Sequence, residues 1–164
     1  MRTLLRLYDR ITPVFTHGQS FFLLVIRLYW GWQLAQSGWG KLHNLDRVTE
    51  YFQSINVPMP GATAHFVAAL EFVGGILLAL GLGSRLISAV LTINLLAAYW
   101  YGDHEAFLAF FSDPGKFYAA DPFTFLFVAL IVLLFGPGYL SLDWLIRKLL
   151  HAPADSTGAV GTHS

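Results

Sequence analysis

Four long apolar stretches constrain the fold of this chain more than any other feature of its sequence. They lie at 20–38, 62–82, 86–101 and 121–136. A helix rises about 1.5 Å per residue, so about 20 apolar residues cross the hydrocarbon core of a bilayer. Of the 164 residues, 55% are hydrophobic and 12% are charged, whereas about 25% are charged in an ordinary soluble domain. The sequence therefore predicts an all-α membrane protein, built as a four-transmembrane-helix bundle.

Amphipathic segments flank the predicted bundle. In 1–19, apolar residues recur at helical spacing and charged residues occupy the opposite face, a pattern typical of an interfacial helix; an unstructured basic anchor is the alternative. Ser141 and Asp143 are typical capping residues, so they predict a C-terminal amphipathic interfacial helix at 141–151. The predicted transmembrane domain includes this helix and extends over 20–151. In 152–164 the composition changes to Gly, Ala, Ser and Thr, which predicts a disordered tail.

The distribution of Lys and Arg predicts how the chain is oriented. Basic residues in short flanking segments collect on the cytoplasmic side of a membrane. The two termini and the turn after the second stretch carry most of them, namely Arg2, Arg6, Arg10, Arg85, Arg147 and Lys148. The opposite side carries Lys41, Arg47 and Lys116. Both termini of this multi-pass protein are therefore expected in the cytoplasm.

Composition also argues against several classes of function. The formal net charge is +0, and we find no basic patch of the kind that nucleic acid requires. The sequence has no cysteine, which excludes disulfides, thiolate metal sites and iron–sulfur clusters. His65 is the one histidine near an apolar stretch, whereas a membrane b-type haem needs two axial ligands. We therefore expect no covalent cofactor.

Ionisable and polar residues inside the apolar stretches are the main candidates for a site. They are Arg27, Glu71 and Asn94, and a charge at the centre of a span costs about 2.5–3.5 kcal/mol even on lenient scales. Glu71 and Arg27 each fall on a helical stripe of small residues, which is typical of helix contacts in membranes. The spacing predicts a buried Arg27–Glu71 ion pair with hydrogen bonds from Asn94. Its role is either structural or in binding or proton movement.

Two weaker polar sets lie toward the expected outer side. Gln36, Lys41 and His65 cluster near the ends of the first two stretches, where His65 is expected to form a hydrogen bond within the bundle rather than bind a metal. The run Asp103, His104 and Glu105 follows the third stretch and is the weak candidate for a cation site. Consecutive helical residues diverge by about 100°, so solvated loop residues are the favoured interpretation and no metal site is predicted.

These positions resemble those of the DoxX family of small four-helix membrane proteins. The matching segments are IRLYWGWQLAQSGWGKL, which contains Arg27 and Lys41, then ALEFVGGILLALGLGSR, which contains Glu71, and finally GPGYLSLD at 136–143. Together they cover roughly 21–144, and their order and spacing give the match its specificity. The resemblance implies a bacterial-type inner membrane protein. Some members of the family are membrane subunits linked to quinone oxidoreductases.

The resemblance favours a quinone-associated oxidoreductase, or the membrane subunit of one, with a partner protein or a second copy of the chain. A quinone needs an apolar, aromatic-lined slot with polar groups at its carbonyls. The expected residues are Arg27, Glu71 and Asn94 beside Tyr29, Trp30 and Trp32. The alternatives are a non-enzymatic membrane anchor or assembly module and a carrier for a small solute.

Overall fold

The protein is all-helical over the residues described by its structure, a computed structural model. That structure describes residues 2–150, with side chains from residue 17 onward. Its helices are α1 (Arg2–Leu42), α2 (Leu45–Ser54), α3 (Pro60–Leu80), α4 (Ser84–Gly102), α5 (His104–Leu108), α6 (Pro114–Ala119), α7 (Pro122–Phe135) and α8 (Leu142–Leu150). This confirms the all-α class. The predicted tail at 152–164 lies outside the described residues.

The N-terminal segment and the first apolar stretch form one continuous helix. α1 contains 41 residues, which corresponds to a length of about 60 Å. Residue 19, where the sequence suggested that an interfacial segment ends, is therefore not a break in the helix. Gly18 lies close to this position, and a single glycine inside a helix costs only about 1 kcal/mol relative to alanine. The amphipathic pattern of the first 16 residues falls outside the described side chains.

Four long helices pack into an antiparallel bundle. α1 packs on α3, α3 on α4, α4 on α7 and α7 on α1. The ends of α3, α4 and α7 lie within two residues of the ends of the corresponding apolar stretches. Proline at the first position of α3 and α7 fits these starts. A backbone N–H group at this position has no acceptor within the helix, so proline, which lacks that group, loses no hydrogen bond.

Small residues bring α1 and α3 into close contact. The predicted stripes are buried on both helices, with Ala68 fully enclosed and Ala35 4% exposed. A Cβ atom added to Gly75 would lie 2.5 Å from the backbone nitrogen of Ala35 and 2.6 Å from the carbonyl oxygen of Gly31. Backbones approach this closely only where neither helix carries a side chain at the contact. These glycines therefore set the register of α1 against α3.

Apolar side chains cover much of the outer surface of the bundle. Among the described helices, α3 alone is long and apolar enough to cross a membrane, with a mean hydropathy of 1.8, yet one third of that segment is buried. α7 is also apolar but has 14 residues. Leu86, Ile93 and Leu134 are 76%, 69% and 69% exposed. So many exposed apolar side chains suit lipid better than water.

The C-terminal segment closes one end of the bundle through a carboxylate. Asp143 of α8 accepts hydrogen bonds from the backbone N–H groups of Gly83 at 2.7 Å and Ser84 at 2.9 Å, and its own N–H donates to the carbonyl of Gly81. Asp143 therefore caps α4 from a different helix. Ser141 caps α8, because its hydroxyl accepts from the N–H of Trp144 at 3.2 Å. The predicted capping pair thus serves two helices.

Loss of this cap should destabilise the protein and change its response to acid. Burial raises the pKa of Asp143. The hydrogen bonds from the backbone N–H groups of Ser84 and Gly83, together with the positive charge of Arg147, lower the pKa by more, so it lies below its usual range. A carboxyl group whose pKa is lower in the folded than in the unfolded state stabilises the fold at pH values above its unfolded pKa of about 3.9. This stabilisation is lost as the pH falls through the folded pKa. Asp143→Asn should cost about 1 kcal/mol at pH 7.

Thermal unfolding in mild detergent between pH 7 and pH 3 measures this effect. The difference in midpoint between wild type and Asp143→Asn should be largest at pH 7 and shrink below pH 4. Equal midpoints at pH 7 would contradict the cap.

Candidate functional site

The predicted Arg27–Glu71 ion pair is wrong. The hydroxyl of Ser37 donates to Oε2 of Glu71 at 3.0 Å, which fixes the level of Glu71 along α1. Arg27 precedes Ser37 by ten residues, and ten residues extend about 15 Å along a helix axis. An arginine side chain does not bridge that separation. The stripes of small residues show which face of each helix is buried, but the register of α1 against α3 comes from the close contacts of their glycines.

Lys41 is the cation that pairs with Glu71. Its Nζ lies 2.5 Å from Oε1 of Glu71, at the α1 end that adjoins the start of α3. Glu71 is 5% exposed, whereas the side chain of Lys41 is 31% exposed. A buried carboxylate without a cation would be strongly unfavourable. The pair therefore ties α1 to α3 and presents one partly accessible ammonium group.

The Lys41–Glu71 pair lines a cavity of about 710 Å³, here called the α2 cavity. α2 and the loop that follows it cover one side of it, and α1, α3, α4 and α7 supply the rest of its wall. Most of the lining is apolar, and its rings come from Tyr51, Phe52, Tyr101 and Phe125. The other polar side chains in the wall include Ser37, Arg47, Asn94, Asp103 and Asp121. This combination has the volume and the lining of a small-molecule site.

Two carboxylates lie in the wall of the α2 cavity away from Glu71. Asp103 follows α4, and Asp121 precedes Pro122 at the start of α7. Asp121 makes no side-chain capping bond at the start of α7, and its side chain lines the cavity instead. Burial, together with the charge of Asp121, raises the pKa of Asp103 above its usual range. A carboxyl group of this kind holds a proton more readily than a free one.

The remaining predicted residues divide between the cavity and the surface. Asn94 lines the cavity beside Glu71, although no hydrogen bond links it to Arg27 or Glu71 among the described residues. Gln36 and His65 are exposed and do not line it. Nδ1 of His65 lies 2.8 Å from the carbonyl of Gly61 on its own helix, so its hydrogen bond is local.

The run Asp103, His104 and Glu105 diverges as its helical spacing predicts. Asp103 lines the cavity, His104 Nδ1 lies 3.1 Å from the carbonyl of Trp100, and Glu105 pairs with Lys116 at 2.7 Å. Within the described part of the chain no group of three His, Cys, Asp or Glu residues is placed to hold a metal ion.

The aromatic residues expected beside a quinone are only partly in place. Tyr29 is 56% exposed and Trp32 is 62% exposed on the outer surface. Trp30 stands behind the cavity wall, because its ring meets that of Phe125 edge to face at a centroid distance of 5.6 Å. The rings that line the cavity come from α2, α4 and α7.

Arg27 occupies a separate buried site at the opposite end of the bundle. It is fully buried, its Nη2 donates to the carbonyl of Leu140 at 2.6 Å, and its Nε donates to the carbonyl of Leu23 at 3.2 Å. Nη1 has no hydrogen-bond partner among the described residues and lies against Gly81. The carboxylate that acts on the Arg27 charge is Asp143. Arg27 therefore holds the segment before α8 against the bundle, and it does not contribute to the α2 cavity.

Sequence reasoning missed the part of the cavity that α2 provides. Arg47, Tyr51 and Phe52 belong to this strongly amphipathic helix, whose apolar face was visible in the sequence as a helical pattern between two long stretches. A short amphipathic helix next to a buried ion pair is the signal that would have indicated a covered cavity.

The comparisons with known proteins identify the family. Residues 22–104, half of the chain, match the DoxX family, so the chain belongs to the DoxX family. It is also similar to a protein of Bacillus subtilis (strain 168) named "Putative oxidoreductase CatD", with 27% identity over 117 residues, 62% of this chain and 86% of that protein. No solved structure matches the chain. The match to the family contains the Lys41–Glu71 pair and Asn94.

Proposed function

We propose that this member of the DoxX family binds a lipid-soluble quinone in the α2 cavity, as an oxidoreductase or as the membrane subunit of one. The observation that carries the proposal is the buried Lys41–Glu71 pair in the wall of an apolar, aromatic-lined cavity. A quinone has an apolar ring and tail with two carbonyl oxygens, and this wall offers complementary groups for each part.

The proposal includes four membrane spans, formed by the later part of α1 and by α3, α4 and α7. The exposed apolar residues on the outside of the bundle support this arrangement. Polar residues such as Ser88 and Thr92 lower the hydropathy of α4 but are buried, so they do not oppose insertion. α8 lies at the interface, with both termini in the cytoplasm of a bacterial-type inner membrane.

Two sets of groups fit the two ends of a quinone ring. The ammonium group of Lys41 and the amide of Asn94 donate hydrogen bonds to one carbonyl oxygen, and Glu71 holds Lys41 in place. Asp103, with its raised pKa, delivers a proton to the other oxygen. Reduction of the quinone to a quinol takes up two electrons and two protons, of which Asp103 delivers one and the partly exposed ammonium group of Lys41 delivers the other, and each group then regains a proton from water.

Electrons have to come from another protein in this proposal. The sequence offers no cysteine for an iron–sulfur cluster or a dithiol. A soluble redox protein docked on the membrane protein would supply them from its own electron carrier. The word oxidoreductase in the name of the similar Bacillus subtilis protein, "Putative oxidoreductase CatD", supports this class of activity.

Glu71→Gln should weaken quinone binding while the protein stays folded. The neutral amide no longer orients the ammonium group of Lys41, so the dissociation constant of a short-chain benzoquinone should rise about tenfold or more, as for loss of a charged hydrogen bond. Quenching of tryptophan fluorescence measures binding, because Trp30 contacts the cavity wall through Phe125. Quinone extracted from the purified protein gives a second readout.

Glu105→Gln is the matched control, because it removes an exposed carboxylate that pairs with Lys116 away from the cavity wall. Its binding should equal that of wild type. A folded Glu71→Gln protein with unchanged quinone affinity would overturn the site, as would a wild-type protein that neither retains quinone nor responds to it.

A non-enzymatic anchor or assembly module is the second candidate. The observation that favours it is the position of the Lys41–Glu71 pair between α1 and α3, where it stabilises the helix packing without any ligand. Deletion of this chain tests the module. Impaired assembly of the partner complex, together with unchanged quinone kinetics, would favour it.

A further inference from the structure

A second cavity lies at the end of the bundle opposite to the α2 cavity. Its volume is about 490 Å³, and it is formed by α1, the start of α4, the segment from Phe135 to Tyr139, and α8. Arg85 and Arg147 both line it. We call it the basic pocket. Leu23 of this pocket and Leu34 of the α2 cavity are 11 residues apart on α1, which corresponds to about 16 Å along the helix.

The basic pocket has an excess of positive charge. Two guanidinium groups and one carboxylate line it: the oxygens of Asp143 accept the N–H groups of Gly83 and Ser84, and the charge of Arg147 acts on the same carboxylate. The guanidinium group of Arg85 packs on the backbone of Gly136, because a Cβ atom there would lie 3.5 Å from its Nε and Nη2. Among the side chains described from residue 17 onward, no carboxylate forms a salt bridge with Arg85. An anion placed here meets two guanidinium groups, which favour phosphate.

Apolar and aromatic surface adjoins the charged part of the pocket. Leu86 and Phe135 line it and are 76% and 62% exposed. Tyr139 and Trp144 meet edge to face at a centroid distance of 6.3 Å, and such rings favour the headgroup level of a membrane. A ligand with a phosphate at one end and a hydrocarbon chain at the other fits this succession of surfaces.

We propose that the basic pocket binds the headgroup of an anionic phospholipid, with Arg85 and Arg147 on its phosphate and an acyl chain along Leu86 and Phe135. The bound lipid bridges α4, α7 and α8, so it fastens the C-terminal helix to the bundle. The basic side of a membrane protein faces the cytoplasmic leaflet, which is rich in anionic lipid. This site is independent of the quinone proposal, because it shares no residue with the α2 cavity.

Native mass spectrometry of the full chain in detergent tests the site with phosphatidylglycerol, phosphatidylcholine and inorganic phosphate as probes. Wild type should retain one phosphatidylglycerol in preference to phosphatidylcholine. Arg85→Gln and Arg147→Gln should each weaken that binding about fivefold, since one basic residue contributes about 1 kcal/mol. Inorganic phosphate that displaces the lipid at millimolar concentration would assign the binding to the phosphate group alone and overturn the acyl-chain contacts.

Lys148→Gln is the matched control. Lys148 is also a cation of α8, but it lies over the ring of Trp144 at 5.1 Å and does not line the pocket. Its removal should leave phosphatidylglycerol binding within twofold of wild type. An equal loss in Lys148→Gln and Arg85→Gln would show a diffuse surface charge and overturn the pocket, as would equal retention of both phospholipids by wild type. Unchanged thermal unfolding of each variant without lipid confirms that the comparison concerns folded protein.

Discussion

Replacing Gly75 with leucine is expected to abolish folding of the bundle, and Gly75→Ala is expected to cost about 1–3 kcal/mol, as overpacking of a tight core does. The added Cβ atom would lie 2.5–2.6 Å from backbone atoms of Ala35 and Gly31. Backbone atoms cannot rotate away as a side chain can, so α1 and α3 have to separate. Separation also breaks the Lys41–Glu71 pair, which bridges the same helices.

Gly40→Ala is the control for this experiment. Gly40 lies in α1 as well, but a Cβ atom there would meet nothing within 4 Å. Alanine is the better helix former by about 1 kcal/mol, so this variant should be as stable as wild type or slightly more stable. Unfolding midpoints and the yield of monodisperse protein in detergent measure both effects. A Gly75→Ala protein as stable as Gly40→Ala would contradict the close helix contact.

Lys41→Met should destabilise the protein by about 3 kcal/mol, whereas the double variant Lys41→Met/Glu71→Met should recover most of that loss. Removal of one partner leaves a carboxylate that is 5% exposed without a cation, and breaking a buried pair costs about 3–5 kcal/mol. The low end applies because Lys41 is 31% exposed. Replacement of both partners by apolar residues is often close to neutral.

The double variant separates the structural role of the pair from its role in binding. If the pair contacts a quinone, Lys41→Met/Glu71→Met should be folded but should bind benzoquinone no better than either single variant. Chemical denaturation and fluorescence quenching measure the two properties on the same samples. Full recovery of binding together with stability would show that the pair serves the packing of α1 and α3 alone.

Helix positions followed from the sequence because hydropathy determines them. The stretches at 62–82, 86–101 and 121–136 each became a helix within two residues of the expected ends, and the small-residue stripes on α1 and α3 are buried as expected. Bounds of this kind depend on local composition, proline and glycine, all of which are visible in one chain. The sequence could not predict that α1 continues from Arg2 to Leu42, since no residue there requires either a break or a continuation.

Which side chains pair with each other across the bundle was harder to predict than which face of each helix is buried. Burial of Arg27 and Glu71 followed from their stripes, but their pairing depends on the register between α1 and α3, which Gly31 and Gly75 set over a contact of a few ångströms. Lys41 was expected near the ends of the first two stretches, yet its pairing with Glu71 depends on the register between α1 and α3. The contribution of Asp121 to the cavity depends on tertiary packing, and no local pattern records it.

The separation of Arg27 from Glu71 has a consequence for how the molecule tolerates change. The Lys41–Glu71 pair lies at the middle of α3 and Arg27 lies at its C-terminal end, and between them is a contact lined by Gly31 and Gly75. Perturbations at sites more than about 10 Å apart with no shared neighbours combine additively. The free energies of substitutions at the two sites are therefore expected to add, so that the sequence around one site can change while the other keeps its contacts.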